Sequence, residues 1–219
     1  MISLTLFQKI IIWAIPILFA ITVHEVAHGW VANKLGDATA KMMGRLTLNP
    51  IKHIDPIGTI LVPGILLVIG GFMFGWAKPV PITWQNLRNP KRDMALVALA
   101  GPLSNLVMAL AWATILKLCL VITADAPPHS FFLFIAMCYA GIVINLMLMV
   151  LNLLPVPPLD GSRVVATFLT GRAAYFYHRI EPFGLFILLG LLTLGLFKII
   201  IFPIVTQLNM IILSLFGIA

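Results

Sequence analysis

The feature that most limits the possible folds of this 219-residue chain is its set of long apolar runs. Hydrophobic residues make up 61% of the sequence, and charged residues make up only 10%. A soluble domain of this size could not hide so much apolar surface from water. Several runs approach or exceed the ~20 apolar residues that a membrane-spanning helix needs. The sequence therefore predicts an integral, multi-pass membrane protein whose surroundings are the lipid bilayer.

The arrangement of these runs predicts an all-α polytopic fold with about five to six membrane helices. The clear spans are residues 8–32, 94–120, 131–153 and 183–202, and a shorter apolar segment follows at 204–219. Near residues 57–83, prolines and paired glycines interrupt the apolar pattern, and alternate prolines favour an extended backbone. This part is predicted to be a non-spanning hairpin or a β-like segment. No long soluble insert is present, so residues 1–219 are predicted to form a single membrane-embedded domain.

The first apolar run carries the pentapeptide His24-Glu25-Val26-Ala27-His28. On a helix, residues four apart lie on one face, so His24 and His28 can bind one metal ion together. Glu25 can reach a water molecule at that metal and act as its general base. Three ionisable groups are costly in so apolar a segment, which favours a chemical role. The alternative is a chance motif whose histidines only cap or line a helix interface.

A second motif, which reads NLLPVPPLDG, closes the 131–153 span at residues 152–161. Its prolines must end the helix, and Asp160 is then expected in an extended turn near the membrane surface. A catalytic zinc site uses three protein ligands and leaves one position open. His24 and His28 supply two ligands, and Asp160 is the natural third. The alternative is that Asp160 is an ordinary turn residue or a helix cap.

The HEVAH and NLLPVPPLDG motifs, with Gly101-Pro102-Leu103-Ser104-Asn105 opening a middle span between them, resemble the site-2 protease family. Members of this family are intramembrane zinc metalloproteases, and the resemblance covers residues from about 20 to 165. HExxH alone is unspecific, but HExxH followed in this order by the Leu-Asp-Gly motif is highly specific. The chain resembles a minimal member without an attached PDZ or CBS domain.

The resemblance implies a role for each matching residue. Zinc would be bound by His24, His28 and Asp160, with Glu25 as the catalytic base. Asn152 and Pro157 would shape the active site and engage the substrate. The implied reaction is hydrolysis of peptide bonds within or next to transmembrane segments of membrane-protein substrates. The sequence indicates neither the substrate nor the oligomeric state.

The metal site also limits the topology. Both motifs must lie on one side of the membrane, so an odd number of crossings separates their spans. If residues 57–75 enter and return on one side, only Lys9, Lys117 and Lys198 of the 14 basic residues lie away from the metal. By the positive-inside rule, the site then faces the cytoplasm. The compact form of the chain fits a prokaryotic inner membrane. The net charge of +7 reflects this orientation and does not indicate a nucleic-acid partner.

Three further sets of residues allow two interpretations each. His53, just before the predicted hairpin, could gate the site as a fourth ligand, or could belong to an interfacial loop with an Asp-Pro turn. Asn105 and Asn145 could line a water path, although small and polar residues on one face also simply pack membrane helices together, and packing is favoured. Cys119 and Cys138 could form a disulfide or a metal-binding pair, but burial as small apolar side chains is favoured.

Two other functions compete with proteolysis. In a zinc or divalent-metal transporter, the two histidines and Asp160 would form a transit site. Transporters more often show broken helices in repeated halves, and no repeat is visible here. An inactive scaffold that binds membrane helices would normally have lost a ligand or Glu25, and this chain keeps all of them.

Overall fold

The computed structural model describes residues 5–61, 77–123 and 131–218, and within these ranges the chain is mostly helical and has no β-strand. The α-helices are α1 (Leu6–Lys34), α2 (Thr39–Met42), α3 (Pro90–Ile122), α4 (Phe132–Asn152), α5 (Asp160–Phe168), α6 (Gly171–Ile180), α7 (Gly184–Thr193) and α8 (Phe202–Leu215). Short 3₁₀ turns lie at Pro50–His53, Trp84–Asn86 and Glu181–Phe183, and π-helical turns lie at Pro56–Leu61 and Phe197–Ile201. The predicted all-α class is confirmed for this part of the chain.

Local sequence signals account for the start of the two longest helices. Thr5 and Gln8 form a capping box at the start of α1, in which each side chain accepts the other residue's backbone N–H. Pro90 begins α3, where its missing N–H costs no helical hydrogen bond. In the first turn of α3, Asp93 accepts the backbone N–H of Asn89 at 2.9 Å.

Among the described residues, four helical segments are long and apolar enough to cross a membrane: Leu6–Lys34, Pro90–Ile122, Phe132–Asn152 and Lys198–Leu215. The first three match predicted spans. The predicted span at 183–202 is divided instead, because α7 ends at Thr193 and Gly195 follows in the left-handed conformation with φ +93°. A ten-residue helix such as α7 is only about 15 Å long. The predicted count of five to six membrane helices is therefore not confirmed for the described ranges.

Helices α1, α3 and α4 pack directly against one another. Small side chains make this possible, since Ala20 and Ala32 of α1 and Ala109 and Ala113 of α3 have no exposed surface. In lipid, association of helices depends on such close packing because no water is released between them. Side chains of α7 and α8 complete the core around α4; these are Leu188, Val205 and Ile212.

Two backbone contacts show which helix ends and loop segments lie at the same end of the bundle. Arg88, which precedes α3, donates its backbone N–H to Leu35 at the end of α1 over 3.0 Å. Lys78 donates its backbone N–H to His53 over 2.9 Å, so the chain returns at the point where it left. A single membrane helix, α3, lies between α1 and α4 in the described part, which is the odd number that the topology argument requires.

The predicted hairpin or β-like segment near 57–83 is only partly described. Residues 62–76 lie outside the described ranges. On one side of them Pro56–Leu61 forms the π-helical turn, and on the other side residues 77–83 have no helical hydrogen bonds. Residues 77–83 are not part of a strand either, so the β-like character is not confirmed for this described portion.

Candidate metal centre

Two segments far apart in the sequence bring three possible metal ligands together. His24 and His28 lie one turn apart on α1, and Asp160 is the first residue of α5. Asp160 Oδ2 lies 3.1 Å from His24 Nε2 and 3.3 Å from His28 Nε2, and the two Nε2 atoms are 3.0 Å apart. All three ligand atoms lie within 4.8 Å of one another, so the group could hold a metal ion.

Asp160 reaches this position from a helix and not from the extended turn that the prolines predict. Leu159 is the last extended residue, with φ −69° and ψ 156°, and α5 begins at Asp160. The next residue must be small, since a Cβ on Gly161 would lie 2.3 Å from the carbonyl oxygen of Leu153. The close approach of α5 to the end of α4, and not a left-handed backbone, therefore explains the glycine.

A glycine on α3 makes room for the two imidazoles. A Cβ on Gly101 would lie 2.3 Å from His28 Nε2 and 2.6 Å from His24 Cε1. Such distances are far below van der Waals contact, so no larger residue fits at this point without moving the histidines. Gly101 thus lets α3 close one side of the metal centre.

The hydrogen bonds of the two imidazoles aim their free nitrogens at Asp160. His24 Nδ1 lies 2.6 Å from Asn105 Oδ1, and His28 Nδ1 lies 2.7 Å from the Val97 carbonyl oxygen. Both oxygens can only accept, so each Nδ1 carries the proton and donates it. Each Nε2 of a neutral imidazole then presents a lone pair, which is the form that binds a metal.

This donor set fits zinc. Two imidazole lone pairs and a carboxylate oxygen repel one another at 3.0–3.3 Å unless a cation or protons lie between them. Asp160 Oδ2 is buried and accepts no hydrogen bond from the described residues. Tetrahedral zinc with bonds of about 2.0–2.1 Å holds its ligands about 3.3 Å apart, and histidine and carboxylate are common ligands of hydrolytic zinc sites.

The charge of Asp160 suits the same role. Burial by itself raises the pKa of this carboxyl group, but hydrogen bonds and positive charge from His24 and His28, when these imidazoles are protonated, outweigh burial and hold the pKa below the usual range of an aspartate. A metal cation in place of those protons acts in the same direction and favours the carboxylate form.

Glu25 lies beside the three ligands and lines the same cavity, whose volume is about 540 Å³. Its Oε2 accepts the backbone N–H of Val80 at 2.8 Å. The extended segment at 77–83 thus holds the glutamate in place and supplies part of the cavity wall through Ala77, Pro79, Val80 and Ile82.

A cation also lines the cavity. The guanidinium carbon of Arg163 lies 4.9 Å from the ring centroid of Trp84, and both residues border the cavity. Arg163 lies three residues after Asp160, on the next turn of α5. Sequence reasoning counted Arg163 only as a charge that reports orientation.

The remaining predicted site residues differ in their positions. Asn152 lines the cavity and donates its side-chain N–H to the Leu148 carbonyl oxygen at 3.0 Å. Pro157 is buried and is not among the residues that line the cavity; its carbonyl oxygen would lie 2.3 Å from a Cβ on Gly184. His53 is also buried outside the cavity lining, and its Nε2 donates to the Thr47 carbonyl oxygen at 2.9 Å.

Two functional contacts were missed by sequence reasoning, those of Asn105 and Val97 with the imidazoles. The signal for Asn105 was present, because it follows Gly101 by four residues and so shares its helix face. Nothing in the sequence could have singled out Val97, because its contribution is a backbone carbonyl. Cys119 and Cys138 are buried and free, as predicted.

The comparisons with known proteins agree on one protein class. The model of peptidase family M50 matches residues 120–195, a range that includes Asp160 but not the HEVAH motif. A Bacillus subtilis (strain 168) protein named "Putative zinc metalloprotease YwhC" is 37% identical over 209 residues, which are 93% of this chain and 90% of that protein.

More distant relatives cover less of the chain. The Mycolicibacterium smegmatis protein named "Putative zinc metalloprotease Rip2" is 34% identical over 145 residues, and that of Mycobacterium tuberculosis is 31% identical over 148 residues. In both cases the match covers 66% of this chain and 52% of the relative, so this chain spans about half the length of the Rip2 proteins. No solved structure matches the chain.

Proposed function

The chain belongs to peptidase family M50, the site-2 protease family, and from this premise we propose that it hydrolyses peptide bonds within or next to transmembrane segments of membrane-protein substrates. The observation that carries the proposal is the position of the donor set. His24, His28 and Asp160 converge beside Glu25 at a cavity, and the two histidines belong to a helix long and apolar enough to cross a membrane.

In the proposed reaction, His24, His28 and Asp160 hold the zinc ion. When bound, zinc supplies Lewis acidity, which polarises a peptide carbonyl and makes water a better nucleophile. Glu25 accepts the proton of the attacking water and delivers it to the leaving amine. The hydrogen bond from Val80 keeps one oxygen of Glu25 turned toward the wall of the cavity.

The substrate must be unwound before it can be cut, because a helix hides its carbonyl groups in hydrogen bonds. An extended substrate could pair with residues 77–82 or with the proline-rich turn at 153–159, by strand addition. The extended backbone of 77–83 and its place in the cavity wall support the first of these. We assign substrate contact to Asn152 because its side chain also borders the cavity. For Pro157, which lies outside the cavity lining, we propose a shaping role on the turn.

A gating role for His53 stays a prediction. Unchanged zinc content and unchanged activity in His53→Ala would contradict it and favour the interfacial-loop interpretation.

The orientation of the protein in the membrane is likewise part of the proposal. The distribution of basic residues favours a metal centre that faces the cytoplasm.

The test uses purified full-length protein and a library of transmembrane peptides. Cleavage that stops with a chelator and returns with zinc is expected for the protease, and not for a transporter or an inactive scaffold.

Glu25→Gln should keep its zinc but lower kcat/KM by roughly 10²–10⁴-fold. Glu181→Gln, at an exposed position outside the cavity lining, is the matched control. Full activity in Glu25→Gln would contradict the assignment of the base.

A further inference from the structure

We infer that Asn105 is a positioning residue of the metal centre, which fixes the tautomer of His24, and that Asn145 holds Asn105 in the required orientation. The inference rests on the proposed zinc site. Its starting point is an asymmetry between the two histidines: His28 donates to a backbone carbonyl, whereas His24 donates to a side-chain amide. An amide can rotate by half a turn and then present its NH₂ group to the imidazole.

The correct orientation of Asn105 is determined by its other contacts. Its Nδ2 donates to the Ala20 carbonyl oxygen at 3.3 Å and to Asn145 Oδ1 at 3.0 Å. A flipped Asn105 would place its oxygen against these two acceptors and its NH₂ group against His24 Nδ1. Such a flip makes the contacts with Ala20 and Asn145 repulsive, and it leaves the contact with His24 favourable only if the imidazole proton moves to Nε2.

Asn145 is oriented in turn by a group that cannot flip. Its Nδ2 donates to the Gly141 carbonyl oxygen at 2.8 Å, one turn earlier in α4. The direction of donation therefore runs from His24 Nδ1 to Asn105, from Asn105 to Asn145, and from Asn145 to a backbone carbonyl. A fixed main-chain group on α4 thus specifies which nitrogen of His24 is free for the metal.

Burial deprives this series of hydrogen bonds of alternative partners. Asn105 and Asn145 have no exposed surface, and His24 is 7% exposed. All three lie on helices that are apolar and long enough to cross a membrane, where water is not at hand to replace a lost partner. Without the acceptor on Asn105, His24 is free to carry its proton on Nε2, and Nε2 then cannot bind the metal.

The test is the zinc dissociation constant of purified full-length variants, measured by competition with a chromophoric chelator. Asn105→Leu removes the acceptor and should weaken zinc binding roughly 10–100-fold. Asn105→Asp keeps an acceptor beside His24 Nδ1 and should lose less zinc affinity than Asn105→Leu, although its second oxygen faces the oxygens of Ala20 and Asn145. Asn145→Leu should fall between the wild type and Asn105→Leu. Asn209→Leu, the same change on α8 outside the cavity lining, is the matched control and should bind zinc normally.

The outcomes distinguish failure of the proposed metal centre from failure of the positioning role of Asn105. A wild-type protein that binds no zinc contradicts the proposed metal centre itself. Zinc affinity at the wild-type level in Asn105→Leu, or equal losses in the Leu and Asp variants, overturns only the positioning role.

A measurement on the wild type keeps the inference testable if Asn105→Leu does not fold. Histidine ¹⁵N spectra of the zinc-loaded protein should show His24 with a protonated Nδ1. A protonated Nε2 on His24 would overturn the inference.

Discussion

At the scale of single residues, the contact between Gly101 and the two imidazoles is the tightest constraint on the metal centre. Helix α3 passes so close to α1 at this point that one additional methyl group would overlap His28 Nε2. Placing an extra methyl group in a well-packed site typically costs about 1–3 kcal/mol. Here the group that must move is a proposed metal ligand, so we expect the cost to fall on metal binding.

Gly101→Ala should therefore weaken zinc binding by roughly 5–150-fold, the equivalent of that free energy. Zinc titration of the purified variant measures the effect. Gly190→Ala is the matched control, because a Cβ on that helical glycine would meet no atom within 4 Å. Equal zinc affinity in the two variants would show that α3 does not press on the imidazoles.

The residue scale also shows where sequence reasoning stops. The i, i+4 spacing of His24 and His28 is a property of one helix, so a shared face could be predicted before the fold was known. The hydrogen bond of Asn105 to His24 joins positions 81 residues apart, so it depends on how α1 and α3 cross. Packing was the favoured interpretation of Asn105 and Asn145, because small and polar residues on one face commonly pack membrane helices together. Their polarity and burial become informative only when their partners are known.

At the scale of elements, Asp37 joins the loop after α1 to the segment before α3. Its carboxylate accepts the hydroxyl and the backbone N–H of Thr39, the backbone N–H of Thr83 at 2.7 Å and the side-chain N–H of Asn86 at 3.1 Å. Burial alone raises the pKa of Asp37, but these hydrogen bonds outweigh it and lower the pKa below the usual value. The loop thereby anchors one end of the extended wall of the cavity.

Because the folded-state pKa of Asp37 is lowered, its stabilising effect is complete above the unfolded value of about 3.9 and is lost as the pH falls through the folded value. Asp37→Asn should lower the free energy of unfolding by about 1–3 kcal/mol at pH 7, since the new NH₂ group faces a backbone donor. Thermal unfolding of the full-length protein in detergent measures this.

Thr83→Ala is the matched control for Asp37→Asn, because it keeps the backbone N–H that Asp37 accepts. The deficit of Asp37→Asn should shrink only below about pH 4. An equal loss of stability in both variants, or a deficit that disappears already near pH 6, would contradict a role for the Asp37 carboxylate.

The membrane helices show how far an apolar pattern can be read. The spans at 8–32, 94–120 and 131–153 agree with α1, α3 and α4 because polar or proline-rich segments mark their ends. Between residues 183 and 219 the hydrophobicity is nearly continuous, and the sequence prediction divided it at Pro203. Gly195 supplies the break there, and a lone glycine is a weak signal in an apolar run. The pattern thus predicted three spans well, whereas the predicted span at 183–202 is not confirmed as one continuous helix.

At the scale of the whole molecule, the fold brings the two segments of the proposed metal centre together at one end of the helix bundle. Helix α1 ends at that end of the bundle and α3 begins there, as the contact of Arg88 with Leu35 shows. The contact of Asp160 with His28 brings the segment after α4 toward the same end. Lys9, near the start of α1, lies at the opposite end of the same helix. This arrangement followed from the sequence once the two motifs were required to meet, since direction along a helix is fixed by the chain.

Single cysteines at positions 34, 88 and 9 test the orientation, in a background without Cys119 and Cys138. Cysteines at 34 and 88 should react with a membrane-impermeant maleimide only from the cytoplasmic side, and a cysteine at 9 only from the other side. Reaction of 34 and 88 from opposite sides would contradict the fold. Reaction of both from outside would contradict the cytoplasmic orientation alone.

The most direct test of the account is X-ray absorption at the zinc edge of the purified full-length protein. One zinc ion per chain is expected, with only nitrogen and oxygen neighbours at about 2.0–2.1 Å and the multiple scattering of two imidazoles. Asp160→Asn should change this first shell, because the third ligand is altered. Sulfur neighbours, a single imidazole, or an unchanged first shell in Asp160→Asn would contradict the convergence of α1 and α5 on one metal ion.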